Sequence, residues 1–343
     1  MVRFLNLKVY YVFALTLVLT ACFPAPDPNG KQEFLLQGST MGTTYNIKVV
    51  AKKDAYDLAT LQQDIDAALV QVNNEMSTYQ KDSEISTFNQ SSGEQPLSIS
   101  PGFRTVLVEA LRLGDITNGM LDVTVGPLVN LWGFGPDYKP ERVPTPEEQA
   151  SARARIGLEK IILDETGLSK TQPDIYLDLS TIAKGWGVDV VADLLEGKGI
   201  NNYLVEIGGE MRLKGFKANG TLWHIAVEKP VTSERSVHQV VVPQDNAVAT
   251  SGDYRNYIEV DGKRYSHIIN PETGLPIDHK LVSVTVIHPS SMTADGLSTA
   301  IMVMGPEKGL AFAKAQDLAV MMIVKTDDGF EEINTVKFLP YLK

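Results

Sequence analysis

The sequence predicts an α+β protein, because helix patterns and short strand patterns are mixed along the chain without the strict alternation of a parallel sheet. Residues 57–79 carry apolar side chains three and four positions apart, the spacing of an amphipathic helix. Residues 43–51, TTYNIKVVA, are rich in β-branched residues and predict a strand. The chain has no internal repeat and no second linker, so we expect one continuous globule.

The remaining elements follow along the chain. Residues 102–119 predict a helix that Asn118-Gly119 ends. Thr145-Pro146-Glu147-Glu148 predicts a helix start, with proline at the first helical position and a capping box. A further helix is predicted over 181–199 and another from about residue 294. Short strands are predicted at 160–165, 174–180, 203–209, 223–229, 237–242 and 283–288, and apolar closing segments at 306–316 and 318–325.

The first 21 residues have the composition of a secretory signal. Their apolar run is shorter than the about 20 residues that a membrane span needs, and it ends at Leu19-Thr20-Ala21-Cys22. Small residues before a cysteine resemble a bacterial lipobox, so we expect cleavage to leave Cys22 as a lipid-modified N-terminus. The alternative is a plain signal peptide with an incidental cysteine. Residues 22–33 then predict a flexible tether, and residues 34–343 the folded domain.

Charge and cysteine content exclude several classes of function. The chain has 31 Lys and Arg against 42 Asp and Glu, and loss of the signal leaves 29 against 42, a net charge of −13. Such acidity argues against nucleic acid as a partner. Cys22 is the only cysteine, which excludes a disulfide framework, a Cys-ligated zinc site and a catalytic thiol in the mature domain. The motifs of Walker NTPases, zincins, α/β-hydrolases and NAD dehydrogenases are absent.

Several stretches are richer in Gly, Ser, Thr and Asp than packing requires, and one of them joins a predicted strand to a helix. In LDLSTIAKG the strand ends near Asp178 and the helix begins near Ser180 or Thr181. Free backbone N–H groups at such a start could bind an anion, with Lys184 one turn further on. The alternative is that Asp178 and Ser180 simply cap the helix.

A second stretch, SMTADGLSTAIMVMG (291–305), begins a long apolar helix. We predict Thr293 as its N-cap, which places Asp295 and Thr299 on one face of the first turns. Asp295 either only offsets the helix dipole, or it forms with Thr299 a hard-oxygen site for Mg²⁺, which keeps water or substrate phosphates as its other ligands. Together the two stretches suggest a magnesium-assisted site for a phosphate-bearing ligand.

Seven fragments in order resemble the ApbE-type FAD:protein FMN transferases, from about Gly38 to Val324: GSTMGTTY, DVTVGPLVNLWGFGP, DLSTIAKGWGVD, VEIGGE, ATSGDYRNY, SHIINPETGLPI and TADGLSTA. The resemblance implies an α+β fold related to the T-fold, with two subdomains and FAD between the lobes. It implies Mg²⁺-dependent transfer of FMN from FAD to a Ser or Thr hydroxyl of an acceptor protein, with release of AMP. It also implies acceptors in Nqr-type sodium-pumping NADH:quinone oxidoreductases or Rnf-type complexes, and a lipid-anchored position on the periplasmic side of the inner membrane.

The resemblance also implies site residues. FAD would be contacted by Met41, Tyr79, Met120, Leu121, Asp122, Asp178, Lys184 and Ile269. Mg²⁺ would be bound by the side chains of Asp295 and Thr299 and by the backbone carbonyl of Thr181. Many members have D-L-G-A-I-A-K-G where this chain has D-L-S-T-I-A-K-G, a change that a carbonyl ligand tolerates. Ser298 stands where some members place a second acid.

His267 is our candidate base for the acceptor hydroxyl, because an imidazole titrates near neutrality. The alternative is that His267 only orients its turn or the flavin. Other functions also remain open at this point: an FAD pyrophosphatase, in which water replaces the acceptor, a flavin-binding lipoprotein without turnover, and a solute-binding lipoprotein of a transporter.

Overall fold

The structure is a computed structural model that describes residues 30–93, 95–136, 142–230, 237–253 and 257–343. The predicted signal, Cys22 and most of the predicted tether lie outside the described residues. The first strand, β1, begins at Lys31, so the last three residues of the predicted tether belong to a strand. In the described part of the chain, no helix has the length and apolar character needed to cross a membrane.

The helices and strands have the following bounds. The α-helices are α1 (Leu58–Met76), α2 (Glu84–Gln90), α3 (Pro101–Ile116), α4 (Gly126–Leu131), α5 (Pro146–Arg153), α6 (Ala183–Gly197) and α7 (Ser291–Ala315). The strands are β1 (Lys31–Thr40), β2 (Thr43–Lys52), β3 (Ile161–Asp164), β4 (Gly167–Lys170), β5 (Tyr203–Ile207), β6 (Glu210–Lys214), β7 (Ile225–Glu228), β8 (Val237–Val241), β9 (Ala247–Gly252), β10 (Tyr257–Val260), β11 (Lys263–Ser266), β12 (Ile269–Asn270), β13 (Leu275–Pro276), β14 (Leu281–His288), β15 (Ala319–Thr326) and β16 (Gly329–Asn334).

An eight-stranded antiparallel sheet forms the centre of the molecule, in the order β1-β2-β5-β6-β9-β14-β15-β16. The other strands form the two-stranded units β3–β4, β7–β8, β10–β11 and β12–β13. The antiparallel central sheet with helices packed against it confirms the predicted α+β class.

The central sheet separates two apolar layers, because successive side chains of a strand point to opposite faces. On β2, Ile47 and Val49 pack with apolar residues of α1 and α6. Val50 faces the other way and joins a cluster with Trp223 and Phe338. The helices α6 and α7 lie side by side on the first face, and this arrangement positions the site described below.

The helix signals near α1 and α5 are confirmed, whereas several strands were missed, among them the central strand β9. The hydroxyl of Thr145 accepts the N–H of Glu148 while the Glu148 carboxylate accepts the N–H of Thr145, so the predicted capping box is formed. The edge strands β1 and β16 were not predicted. Most of their exposed positions are polar, apart from Leu35 and Phe330, and this weakens the apolar signal of a strand at a sheet edge.

The predicted strand at 174–180 is wrong. The side chain of Asn89 binds both backbone groups of Leu177, accepting its N–H at 2.7 Å and donating to its carbonyl at 2.9 Å. The N–H of Asp178 donates to the carbonyl of Val123 at 2.8 Å. These partners take the backbone hydrogen bonds that a neighbouring strand would otherwise provide.

The predicted N-cap of the last long helix is also wrong, since α7 begins at Ser291. Ser290 is the N-cap, and its hydroxyl accepts the N–H of Thr293 at 3.2 Å. Asp189 of α6 accepts two further N–H groups, those of Ser291 at 3.1 Å and Met292 at 3.0 Å. A carboxylate from another helix therefore caps α7, and local spacing contains no signal for such a partner.

Candidate functional site

A cleft of about 1530 Å³ contains all of the site residues predicted within the domain. It is lined by the β1–β2 turn, the segment after α1, the starts of α6 and α7, the β5–β6 turn, β9 and the segment around β12. The predicted residues that line it are Met41, Tyr79, Met120, Leu121, Asp122, Asp178, Thr181, Lys184, His267, Ile269, Asp295 and Thr299. The cleft is larger than the about 300–1,000 Å³ of a typical small-ligand pocket, so it has room for a large ligand.

Aromatic and apolar groups line one part of this cleft. Met41 lies in the two-residue turn between β1 and β2, where its φ of 49° and the 70° of Gly42 match a hairpin turn. Tyr79 follows α1 and is 70% exposed, so its ring face is available for stacking. Leu121 and Ile269 are buried and give the wall an apolar base.

Two carboxylates in the cleft are held by their own turns. The Asp122 carboxylate accepts the N–H of Thr124 at 2.8 Å, and the Asp178 carboxylate accepts the N–H of Ser180 at 2.9 Å and its hydroxyl at 2.6 Å. Burial raises the pKa of the Asp122 carboxyl, although the hydrogen bonds from Thr124 oppose the shift. Because α6 begins only at Ala183, Asp178 and Ser180 stabilise a turn and do not cap the helix.

The two stretches that together predicted a magnesium-assisted site meet where α6 and α7 begin. The N–H of Gly185 donates to the Asp295 carboxylate at 2.9 Å. A Cβ atom at position 185 would lie only 2.4 Å from the carbonyl oxygen of Ser291. Only glycine allows this approach of the two backbones, which brings Lys184 and Asp295 into one buried group.

Lys184 pairs with two carboxylates at this junction. Its Nζ lies 2.9 Å from Glu210 Oε1 and 3.5 Å from Asp295 Oδ1. The carboxylate side chains are only 5% and 3% exposed, whereas that of Lys184 is 32% exposed. Burial would lower the pKa of Lys184, but the two carboxylates raise it overall, so Lys184 is a cation. Burial raises the pKa of both Asp295 and Glu210, and the nearby Lys184 ammonium opposes both shifts by favouring the ionised carboxylates.

Glu210 was not predicted from the sequence as a site residue. It is the first residue of β6 and pairs with Ile207 of β5 across a two-residue turn. Gly208 and Gly209 form this turn with φ values of 58° and 107°, a backbone that residues with a side chain rarely adopt. A Gly-Gly pair between two strands is itself a hairpin signal, and it would have placed Glu210 directly at the turn.

Hydroxyl groups continue the polar wall along α7 and β9. Ser251 Oγ lies 2.8 Å from Ser298 Oγ and 3.2 Å from Thr299 Oγ1. Ser298 is fully buried, donates to the carbonyl of Asp295 at 2.9 Å and does not line the cleft. The Thr181 hydroxyl is buried and has no hydrogen-bond partner among the described residues.

His267 lies on the cleft wall just before β12. Its ring is half-buried and packs edge-to-face against Phe134, with 6.3 Å between the ring centroids. The side chain therefore faces a region that a ligand can enter, and this position is compatible with either role predicted for it.

The oxygen donors in the cleft fit Mg²⁺ that also binds phosphate. No group of three His, Cys, Asp or Glu that could hold a metal alone occurs in the described ranges. Mg²⁺ needs less than this, because it uses one or two carboxylates together with water and ligand phosphates. The candidate ligands are all oxygen atoms, from Asp295, Thr299 and Thr181. The single positive charge of Lys184 balances only one of the two carboxylates, Asp295 and Glu210, so one negative charge remains.

Comparisons with known proteins agree on one family. The family model described as "ApbE family" matches residues 41–322. The FAD:protein FMN transferase of Vibrio cholerae serotype O1 is 57% identical over 307 residues, which cover 90% of this chain and 92% of that protein. The Haemophilus influenzae FAD:protein FMN transferase is 50% identical, with 92% of both chains covered. The solved flavin transferase ApbE from Vibrio cholerae superposes with a TM-score of 0.86 at 55% identity, covering 91% of this chain and 100% of the other.

Proposed function

The chain belongs to the ApbE family and is an FAD:protein FMN transferase, and we propose that it joins FMN to a Ser or Thr hydroxyl of an acceptor protein, with Mg²⁺ bound, and releases AMP. The observation that carries the proposal is the junction of α6 and α7. There a cation, two buried carboxylates and the Thr299 hydroxyl line a cleft large enough for FAD.

We assign the binding of FAD to the residues along this cleft. The exposed ring of Tyr79 and the thioether of Met41 suit the planar parts of the ligand. The turn carboxylates of Asp122 and Asp178 suit hydroxyl or N–H donors, which an anionic phosphate lacks. Lys184 lies 3.5 Å from Asp295, one of the proposed metal ligands, and its ammonium suits the pyrophosphate.

Asp295, Thr299 and the carbonyl of Thr181 would hold Mg²⁺. When bound there, Mg²⁺ supplies neutralisation of the negative charge on the pyrophosphate oxygens. The hydrogen bond from Gly185 fixes one oxygen of Asp295 and leaves the other towards Lys184. The chain's own contribution is thus a preorganised carboxylate at the junction of two helix starts.

In the proposed reaction, the acceptor hydroxyl oxygen forms a bond to the FMN-side phosphorus while the bond from that phosphorus to the bridging oxygen breaks. AMP leaves with the bridging oxygen. His267 accepts the proton of the attacking hydroxyl, a contribution of about 10²–10⁴-fold. Its position on the cleft wall supports this role.

A flavin-transfer assay tests the proposed function. The full-length protein is mixed with FAD, Mg²⁺ and a candidate acceptor subunit of an Nqr- or Rnf-type complex, and flavin fluorescence is read on a denaturing gel while AMP is measured. We expect a fluorescent acceptor band that requires Mg²⁺ and is lost in Asp295→Ala. AMP without a band would favour an FAD pyrophosphatase, and FAD binding without either product would favour a flavin-binding protein.

His267→Ala separates the two roles of the histidine. As a base, its loss should slow transfer by at least about 10²-fold while the dissociation constant of FAD stays within a few-fold. A loss of FAD binding would instead favour an orienting role.

We also propose that cleavage after residue 21 leaves Cys22 lipid-modified and holds the enzyme on the periplasmic side of the inner membrane. The lipobox-like sequence before Cys22 supports this proposal. Incorporation of labelled palmitate that Cys22→Ser abolishes would test it, and fractionation of the two membranes would test the location.

A further inference from the structure

Lys184, Asp295 and Glu210 form one charged group at the junction of α6 and α7. Glu210 is the member of this group to which the proposed reaction assigns no role. It is 4% exposed, it lines the cleft, and its Oε2 has no hydrogen-bond partner among the described residues. Its Oε1 pairs with Lys184 at 2.9 Å. Burying a carboxylate costs free energy unless its charge is paired and its oxygens are hydrogen-bonded. Only one of the two oxygens of Glu210 meets this condition, so its burial in the cleft needs an explanation.

Lys184 has two alternative anions within reach, and they are unequal. Asp295 Oδ1 lies at 3.5 Å from Nζ, and Glu210 Oε1 lies at 2.9 Å. Because Glu210 Oε1 is the nearer anion and Glu210 Oε2 has no other partner in the described ranges, Glu210 can form a further hydrogen bond with the Lys184 ammonium. Asp295 already has one oxygen bound to the N–H of Gly185, which limits how far it can follow Lys184.

We infer that Glu210 is a positioning residue for Lys184. It keeps the Lys184 ammonium at the junction of α6 and α7 when a divalent cation replaces that ammonium on the Asp295 carboxylate. This inference rests on the proposed use of Mg²⁺ by Asp295. In the absence of the metal, Lys184 shares the two carboxylates and acts as the resident cation of Asp295. Once the metal binds Asp295, Glu210 keeps a carboxylate beside the Lys184 ammonium, which would otherwise lie near the bound cation without a counter-charge.

The charge balance of the junction follows this assignment. One lysine and two carboxylates leave a net charge of −1, and the deficit is not balanced by another cation in contact with Asp295 or Glu210 among the described contacts. A divalent cation over-compensates that deficit by one charge, which a phosphate oxygen of the ligand can balance. Without Glu210, Lys184 and the metal would compete directly for the single carboxylate of Asp295.

Binding of Mn²⁺ alone to the full-length protein tests the inference, with the free ion measured by electron paramagnetic resonance in the absence of flavin. We expect Glu210→Gln to weaken Mn²⁺ binding by about tenfold and Lys184→Met to strengthen it by about the same factor. In the double variant, the Glu210→Gln change should have almost no effect relative to Lys184→Met alone. Asp193→Asn, which removes an exposed carboxylate of α6 outside the cleft, should leave the dissociation constant unchanged.

The double variant distinguishes the inference from other roles of Glu210. If Glu210→Gln weakened Mn²⁺ binding equally with and without Lys184, Glu210 would be a metal ligand and the inference would be wrong. If the wild type bound Mn²⁺ but neither single variant changed its affinity, the inference alone would fall. If neither the wild type nor Lys184→Met bound Mn²⁺, either alone or after addition of FAD, the proposed metal site at Asp295 would fall with the inference.

A second measurement does not depend on the stability of the variants. In a crystal structure of the wild type with Mn²⁺, the Lys184 ammonium should be hydrogen-bonded to Glu210 and no longer in contact with Asp295. A metal on Asp295 with Lys184 still bound to that carboxylate would overturn the inference.

Discussion

Gly185→Ala tests the junction of α6 and α7 most directly. An added Cβ would lie 2.4 Å from the carbonyl oxygen of Ser291 and 2.8 Å from the Cα of Met292. These are backbone atoms that cannot rotate away, so the two helix starts must separate by about 1 Å to reach an ordinary contact distance of about 3.4 Å. The separation also stretches the hydrogen bond from Gly185 to Asp295.

The expected cost combines two effects. Overpacking of this kind costs about 1–3 kcal/mol, and loss of a hydrogen bond to a carboxylate costs about 1.5–3 kcal/mol. We therefore expect Gly185→Ala to lower the free energy of unfolding by about 2.5–6 kcal/mol. Flavin transfer should fall as well, because Asp295 loses the contact that fixes it.

Gly197→Ala is the matched control. It makes the same change at the other end of α6, where an added Cβ would meet nothing within 4 Å. Alanine in that helical position should leave the stability unchanged or raise it by up to about 1 kcal/mol. Urea unfolding of both variants measures the difference. Equal free energies for Gly185→Ala and the wild type would refute the close approach of the two helices.

Three further predictions concern the groups that support the site. Asp189→Asn should destabilise the protein by about 2–4 kcal/mol, because an amide cannot accept all the donors at the start of α7. The control Asp193→Asn, which loses only the exposed ion pair with Arg212, should cost under about 1 kcal/mol. Urea unfolding measures both. Burial lowers the pKa of His288, so the unfolded chain takes up the proton first. As the pH decreases below about 6.5, the free energy of unfolding of the wild type should fall relative to that of His288→Gln, by up to about 1.4 kcal/mol per pH unit. Urea unfolding at several pH values measures both proteins, and an equal pH dependence of their stabilities would contradict the prediction. Asn89→Ala should lower the free energy of unfolding by about 1–3 kcal/mol, because the backbone of Leu177 loses both of its hydrogen bonds to Asn89. It should also weaken FAD binding in a fluorescence titration, because Leu177 adjoins Asp178. Reduced stability with unchanged FAD affinity would limit Asn89 to a structural role.

The sequence was informative wherever the signal is local. The spacing of apolar residues predicted α1, and the capping box at Thr145 predicted the start of α5, because both depend on neighbours within one or two turns. The same limit explains the errors. Residues 174–180 have the composition of a strand, but Asn89 and Val123, which take their hydrogen bonds, are more than 50 positions away.

The same distinction between local and long-range information applies to the candidate site. Motifs in order were enough to identify the family and to predict a set of residues that all line one cleft, since each motif keeps its own residues together. Glu210 was missed because its significance depends on Lys184 and Asp295, which belong to two other elements. The roles of the individual cleft residues remain predictions until the assays above are made.

By itself, the sequence determined the α+β class, the family and the residue types available for chemistry, because these depend on composition, periodicity and motif order. Only the tertiary structure decided how they meet. The close approach of α6 and α7 at Gly185 puts Asp295 beside Lys184, and the Gly208-Gly209 turn adds Glu210 to the same buried group. Electrostatic interactions depend on distance and burial, and both are fixed only when distant segments pack.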